Sequence, residues 1–129
     1  MNERYKDASL PTNERAEDLL FRMTLSEKVA QMCMMRGVEY AKKPSPKHPC
    51  CVESDTEFDT ERLLGIFGTD GIGFVHDMYS TPETFNRMQR ILLETQRLPI
   101  PAIFTAEALH GVSGLRGTIF PCPINLGAT

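Results

Sequence analysis

A strand signal, an amphipathic helix and a second strand signal follow one another between residues 70 and 104, and this succession limits the chain more than any other feature. Ile72-Gly73-Phe74-Val75 is a short apolar run suited to a buried strand. Thr81-Pro82-Glu83 is a helix start, with threonine at the cap, proline at the first position and an acid beside it. Phe85, Met88, Leu92 and Thr95 recur at helical spacing and carry the helix to about Arg97. Leu98-Pro99-Ile100-Pro101 breaks it and delivers the second strand, which ends in Ala102-Ile103-Phe104. A strand joined to a strand through one helix is a βαβ unit, and its strands run parallel. The expected fold class is therefore α/β, with helices covering the sheet from outside. Two parallel strands do not bury themselves, so further strands or a partner must complete the sheet.

Open and closed α/β sheets bind ligands at the carboxyl ends of their parallel strands. Two clusters sit there: His76-Asp77 follows Val75, while Glu107 and His110 follow Phe104 in Thr105-Ala106-Glu107-Ala108-Leu109-His110-Gly111. Adjacent parallel strands bring both clusters to one end of the sheet. A carboxylate placed there accepts hydrogen bonds from a neutral polyol in bidentate fashion, and an imidazole donates or accepts according to its tautomer. Glu107 is expected to bind substrate and His110 to support the loop that carries it. His76-Asp77 reads as a turn pair, because a histidine followed by an acid is common in turns. No nucleophile arrangement is visible. Ser113 lacks a G-x-S-x-G context, the cysteines lack a paired base, and no phosphate-cradling glycine loop occurs. By chemistry alone the residues supply one half of a ligand site and no catalytic group.

Upstream, Pro11-Thr12-Asn13 offers capping side chains for a helix over Arg15 to Met23, with Leu19, Leu20 and Met23 as its apolar stripe. Thr24-Leu25-Ser26-Glu27 matches a capping box. The helix it opens carries Leu25, Val29, Met32 and Cys33 at helical spacing and is expected to stop near Gly37. Two such helices in tandem read as a core-facing pair, with a partner-binding hairpin as the second reading. From Tyr40 to Phe58 the chain is polar and irregular, and Pro44, Pro46 and Pro49 forbid a regular helix. That stretch is a functional surface loop or an insertion. A short helix over Thr60–Phe67 follows, capped by Asp59 and closed by Gly68. The expected division is a leading helix pair over 1–36, a polar loop over 37–58, and the first βαβ unit with its strand-end loop over 59–129.

Composition excludes several function classes. At 129 residues the chain fits one small domain, and 41% hydrophobic with 24% charged residues argues against disorder over the whole length. A net charge of -3 with no basic stripe gives no footprint for nucleic acid or anionic membrane. Met1-Asn2-Glu3-Arg4-Tyr5-Lys6-Asp7 lacks the apolar core of a secretory signal, and no stretch approaches membrane-spanning length. Taking Met1 as the true start, the expected location is the cytoplasm. Cys33, Cys50, Cys51 and Cys122 form no C-x-x-C pair, and adjacent Cys50-Cys51 are awkward to bridge. They read as reduced thiols; despite His48 beside them, no metal and no cofactor are expected. The sequence runs out at Ile124-Asn125-Leu126-Gly127-Ala128-Thr129 with no terminating signal, and reads as the front part of an enzyme.

Several segments, in order, resemble the start of a glycoside hydrolase family 3 enzyme, the family of many bacterial β-glucosidases and β-xylosidases. Tyr5-Lys6-Asp7-Ala8-Ser9-Leu10-Pro11 resembles the family's lead-in. Arg15 to Lys28 is similar to its recurrent R-x-x-D-L-L-x-R-M-T-L-x-E-K helix pair. Asp70-Gly71-Ile72-Gly73 looks like its first strand; Glu107-Ala108-Leu109-His110-Gly111 and Thr118-Ile119-Phe120-Pro121 match the stretch after its second. Only the loop around Lys42 to Asp55 stands apart. The resemblance implies the opening part of a (β/α)8 barrel, incomplete here because such a barrel takes about 250 residues. It implies a retaining, exo-acting β-glycosidase, whose two carboxyl groups stand about 5 Å apart. The nucleophile and the acid/base would lie beyond Thr129, so the catalytic residues are expected to be none in this chain, which alone would be inactive. Glu107 occupies the place where the family often has an aspartate or a glutamate gripping hydroxyls of the sugar in subsite −1. The implied partners are a β-linked glucoside, xyloside or oligosaccharide and the remainder of the protein's own barrel and C-terminal domain. Glutamate rather than aspartate, and Cys122-Pro123 in place of the usual glutamine-alanine, depart from the commoner pattern. The alternative is a non-catalytic binding module that docks through its helix pair and partial sheet.

Overall fold

The computed structural model describes residues 3–46, 49–107 and 127–128. Within them, helix α1 (Thr12–Arg22) is followed by α2 (Leu25–Ala30), strand β1 (Met34–Arg36), α3 (Thr60–Phe67), β2 (Phe74–His76), α4 (Pro82–Thr95) and β3 (Ile103–Phe104). The strands form one parallel sheet of three in the order β1-β2-β3. Met34, Met35 and Arg36 lie opposite Phe74, Val75 and His76, while Phe74 and Val75 lie opposite Ile103 and Phe104. The unit β2–α4–β3 is the βαβ connection that the sequence predicts, and the class is α/β. No helix among the described residues is long and apolar enough to cross a membrane.

Local chemistry explains where the helices begin. Thr24 accepts the Glu27 N–H at 3.1 Å, and the Glu27 carboxylate accepts the Thr24 N–H at 2.7 Å, which completes the capping box of α2. Asp59 accepts the Arg62 N–H at 2.9 Å and so caps α3. Gly68 ends that helix at φ 55°, a backbone setting that side chains disfavour. Pro82 opens α4, whose inward face carries Thr84, Met88 and Leu92. Phe85 meets Phe104 of β3 edge-on at 5.0 Å between ring centroids.

The second helix is shorter than its periodicity predicts. It ends at Ala30 instead of running toward Gly37, and Met34–Arg36 forms a strand. Asp70–Gly73 therefore does not lead into the first strand of the sheet but into the central one. The reason is competition for backbone groups. The Ala30 carbonyl accepts N–H bonds from Cys33 at 3.0 Å and from Gly73 at 3.1 Å, while the Phe74 N–H goes to the Cys33 carbonyl at 3.1 Å. These bonds close the helix in a tight turn and commit the next residues to β2. Gly73 is needed for that approach, since a Cβ there would stand 1.9 Å from the Gln31 carbonyl oxygen.

The leading pair is also not core-facing among the described residues. Helix α1 has no buried residue, although Met23 of the predicted stripe, just past its end, is buried, and Glu27 is the buried residue of α2. Phe21 is 86% exposed, and Leu20, Leu25, Val29 and Met32 are exposed with it. The core lies elsewhere, among Met35, Val75, Leu63, Met88 and Leu92. The stretch read as a polar loop contributes to it: Tyr40, Val52 and Phe58 are buried. Short bridges pin this stretch, with Ala41 opposite Phe58, Pro44 opposite Val52 and Cys51 opposite Tyr79. Its prolines exclude a helix but not packing.

An ion pair with one buried member joins α2 to the segment after α4. Glu27 is 3% exposed and receives Arg97 Nε at 2.7 Å and Nη2 at 2.6 Å, a forked contact between α2 and the segment after α4. Hydrogen bonds from Arg97, and then from the Thr24 backbone, hold the Glu27 carboxyl below its ordinary value of 4.5. A lowered native value contributes stability that is fully present above the ordinary glutamate range and is lost as the pH falls through the native value. Glu27→Gln is accordingly expected to cost about 1 kcal/mol at pH 7, kept small because Arg97 remains half in water. Urea denaturation of the two proteins should differ at pH 7, and the difference should shrink as the pH is lowered below the ordinary glutamate value of 4.5. The glycines give an independent check of the backbone geometry. Gly73→Ala is expected to cost more than about 2 kcal/mol because the Gln31 backbone cannot yield cheaply. Gly65→Ala, in α3 with nothing within 4 Å, is expected to stabilise by up to about 1 kcal/mol.

Candidate functional site

The carboxyl ends of the three strands carry Arg36, His76 and, one residue beyond Phe104, Thr105. Arg36 and His76 are direct neighbours in the parallel register. The Thr105 N–H donates to the Val75 carbonyl at 2.9 Å and extends the ladder past β3. Parallel alignment therefore puts a guanidinium, an imidazole and a hydroxyl in a row at one rim.

The imidazole of His76 is held from both sides. Nδ1 lies 3.1 Å from Thr105 Oγ1, and Nε2 lies 3.0 Å from Asp77 Oδ1. The other Asp77 oxygen accepts from Arg36 Nε at 3.1 Å, and Arg36 Nη1 reaches Glu39 at 3.3 Å. Hydrogen bonding to Asp77 raises the Arg36 pKa. Asp77 has φ 49°, the left-handed region that non-glycine residues enter at a cost of about 1 kcal/mol. This setting turns its side chain back to clasp His76 and Arg36 together. Both its oxygens are engaged, so Asp77 is an orienting carboxylate and not a free nucleophile.

Glu107 stands beside this row. Its Oε1 lies 4.0 Å from His76 Nε2, and its side chain is 64% exposed. The parallel arrangement thus brings His76-Asp77 beside Glu107, and His76-Asp77 is more than a turn pair: it flanks the carboxylate. Glu107 is tied through its backbone. The Tyr79 hydroxyl lies 3.0 Å from the Glu107 nitrogen and 3.2 Å from its carbonyl oxygen, accepting the one and donating to the other. Burial raises the Tyr79 pKa, so the phenol keeps its proton at neutral pH. An exposed carboxylate oxygen next to an imidazole nitrogen is an arrangement suited to neighbouring hydroxyl groups.

His110, expected to support Glu107, lies outside the described residues, as do Ser113, Thr118–Pro121, Cys122 and His48. Periodicity did not reveal Arg36, which needed β1 to be recognised, nor Tyr79, whose contact spans 28 residues. Beside the rim, the Cys50 thiol takes a long contact from Arg36 Nη2 at 3.9 Å, and burial pushes its pKa up. Two surface clefts lie away from this rim. One is bounded by Asp55, Phe58, Arg87 and Ile91, the other by Tyr5, Arg15 and Pro99–Pro101 at the opposite end of β3. Neither contains Glu107, whose position at the strand ends carries more weight than the depth of these clefts.

No family model matches the chain. Curated relatives do. The chain is 34% identical over 128 residues to a putative beta-xylosidase of Formosa agariphila, covering 97% of this chain and 16% of that protein. It is 30% identical over 119 residues to a probable beta-glucosidase C of Aspergillus oryzae and 29% identical to the same-named protein of Aspergillus flavus, each covering 90% of this chain and 18% of the relative. The chain thus spans about one-sixth of the length of the curated relatives it matches. Homology of this extent to proteins named beta-xylosidase and beta-glucosidase supports a glycoside hydrolase family 3 type for the chain.

Proposed function

We propose that this chain is the N-terminal part of a retaining, exo-acting β-glycosidase that hydrolyses O-glycosyl bonds of a β-glucoside or β-xyloside, and that it forms part of the −1 sugar subsite. The observation that carries the reading is the place of Glu107: a largely exposed carboxylate at the carboxyl rim of a parallel sheet, 4.0 Å from an imidazole. In this reading Glu107 accepts hydrogen bonds from two sugar hydroxyls, beside an imidazole that Thr105 and Asp77 hold in place. His110 supports the same loop. The nucleophile and the acid/base come from the remainder of a (β/α)8 barrel and a following domain. The exposed side chains of Leu20, Leu25, Val29 and Met32 are the surface on which that remainder packs.

Sugar-hydroxyl contacts strengthen as the ring approaches an oxocarbenium-like transition state, so they act on turnover as well as on binding. In the complete protein, Glu107→Gln is expected to raise KM and to lower kcat, for a combined loss of about 100-fold in kcat/KM. The check is steady-state kinetics on nitrophenyl β-xyloside and β-glucoside; unchanged constants would remove Glu107 from the subsite. The 129-residue chain alone is expected to hydrolyse neither sugar above background.

A further inference from the structure

Glu107 belongs to no helix or strand, and the last ladder bond before it is made by Thr105. Its side chain is mostly in water. Packing therefore does not fix its direction, yet a subsite carboxylate must keep one. The described structure contains one device for this. A single hydroxyl, that of Tyr79, engages both the N–H and the C=O of Glu107.

We propose that Tyr79 is a positioning residue, clamping the Glu107 backbone so that the carboxylate projects beside His76. This rests on the reading of Glu107 as a sugar-binding group. The clamp is suited to the task because Tyr79 is itself buried and tied through its backbone. It is 6% exposed, its N–H donates to the Cys50 carbonyl at 2.9 Å, and its own carbonyl accepts the Val52 N–H at 3.0 Å. The hydroxyl is thus anchored by the 50–52 segment and by the turn after β2, and not by the strand that carries Glu107. Two hydrogen bonds to one residue restrain the peptide planes on both its sides and hence its Cα–Cβ direction. A shift of about 1 Å in such a group is enough to lose 100-fold in rate. The proline-rich 41–58 stretch acquires a role in the same step, since it buttresses the residue that aims the carboxylate.

Tyr79→Phe removes the oxygen and leaves the ring, so packing is retained. In the complete protein the Glu107 amide, followed by hydrogen exchange with mass spectrometry on peptides that span it, is expected to exchange at least about tenfold faster in the variant. In the complete protein Tyr79→Phe is expected to lower kcat/KM on the nitrophenyl sugar about tenfold or more. It should have less than about a twofold further effect when Glu107 is already Gln, because a residue acting through another is silent once that other is removed. Unchanged exchange at Glu107 overturns the clamp. Faster exchange with an undiminished loss in the Glu107→Gln background overturns positioning and makes the tyrosine's effect independent. A complete protein with no glycosidase activity overturns the preceding functional reading, and the exchange result alone then decides the clamp.

Discussion

The parallel insertion of β2 between β1 and β3 is the constraint on which the other features rest. It is held by backbone bonds that leave little freedom: the Gly73 carbonyl takes the Ile103 N–H at 2.8 Å, and the Val75 carbonyl takes that of Thr105 at 2.9 Å. On the other side the chain leaving α2 is captured by Gly73 and Phe74. In an antiparallel pair the residues after two strands would leave at opposite ends. In this parallel one, the groups after each strand converge on a single rim. The candidate site is a consequence of that direction, and Gly73 is the point where the close approach is made.

The rim is organised by polar contacts of graded exposure. Arg36 is half in water, Asp77 and His76 are mostly covered, and Glu107 is mostly free. The covered members satisfy one another and so contribute order, with their remaining capacity spent inside the protein. The Glu107 carboxylate stays exposed beside them. Backbone strain at Asp77 fits this division, because strained conformations persist where neighbouring contacts over-determine them, and they gather at functional sites.

Much of the helical structure was readable because its determinants are local. Asp59 and Gly68 bound α3 at the residues that their chemistry indicates, and the Thr24–Glu27 box forms as written. Strand β1 was not readable. Three residues carry no period, and Met32 and Cys33 continue the helical spacing of Leu25 and Val29 into it. Its strand character is supplied by β2, forty positions later in the register. The amphipathic stripe of α1 and α2 shows that an apolar face exists, but periodicity does not say what covers it. The Tyr40–Phe58 stretch misled in the opposite sense, since its prolines outweighed Val52 and Phe58 in the reading although both are buried. At the site, Glu107 followed from its place after a strand and its meeting with His76 from parallel pairing. The tyrosine behind it leaves no pattern in sequence, being a contact between two irregular segments.

The strands occupy the sheet in the same succession as they occupy the chain. In doubly wound sheets that bind ligands in a crevice, the crevice opens where the winding turns back on itself and two connecting helices part to opposite faces. The described sheet contains no such reversal. The candidate site therefore lies not in a gap between diverging helices but on the lip formed by successive strand ends. Chemistry on such a lip is cumulative: each βα step brings its own side chains to a common opening, and a change in one loop alters what is gripped without reopening the packing beneath.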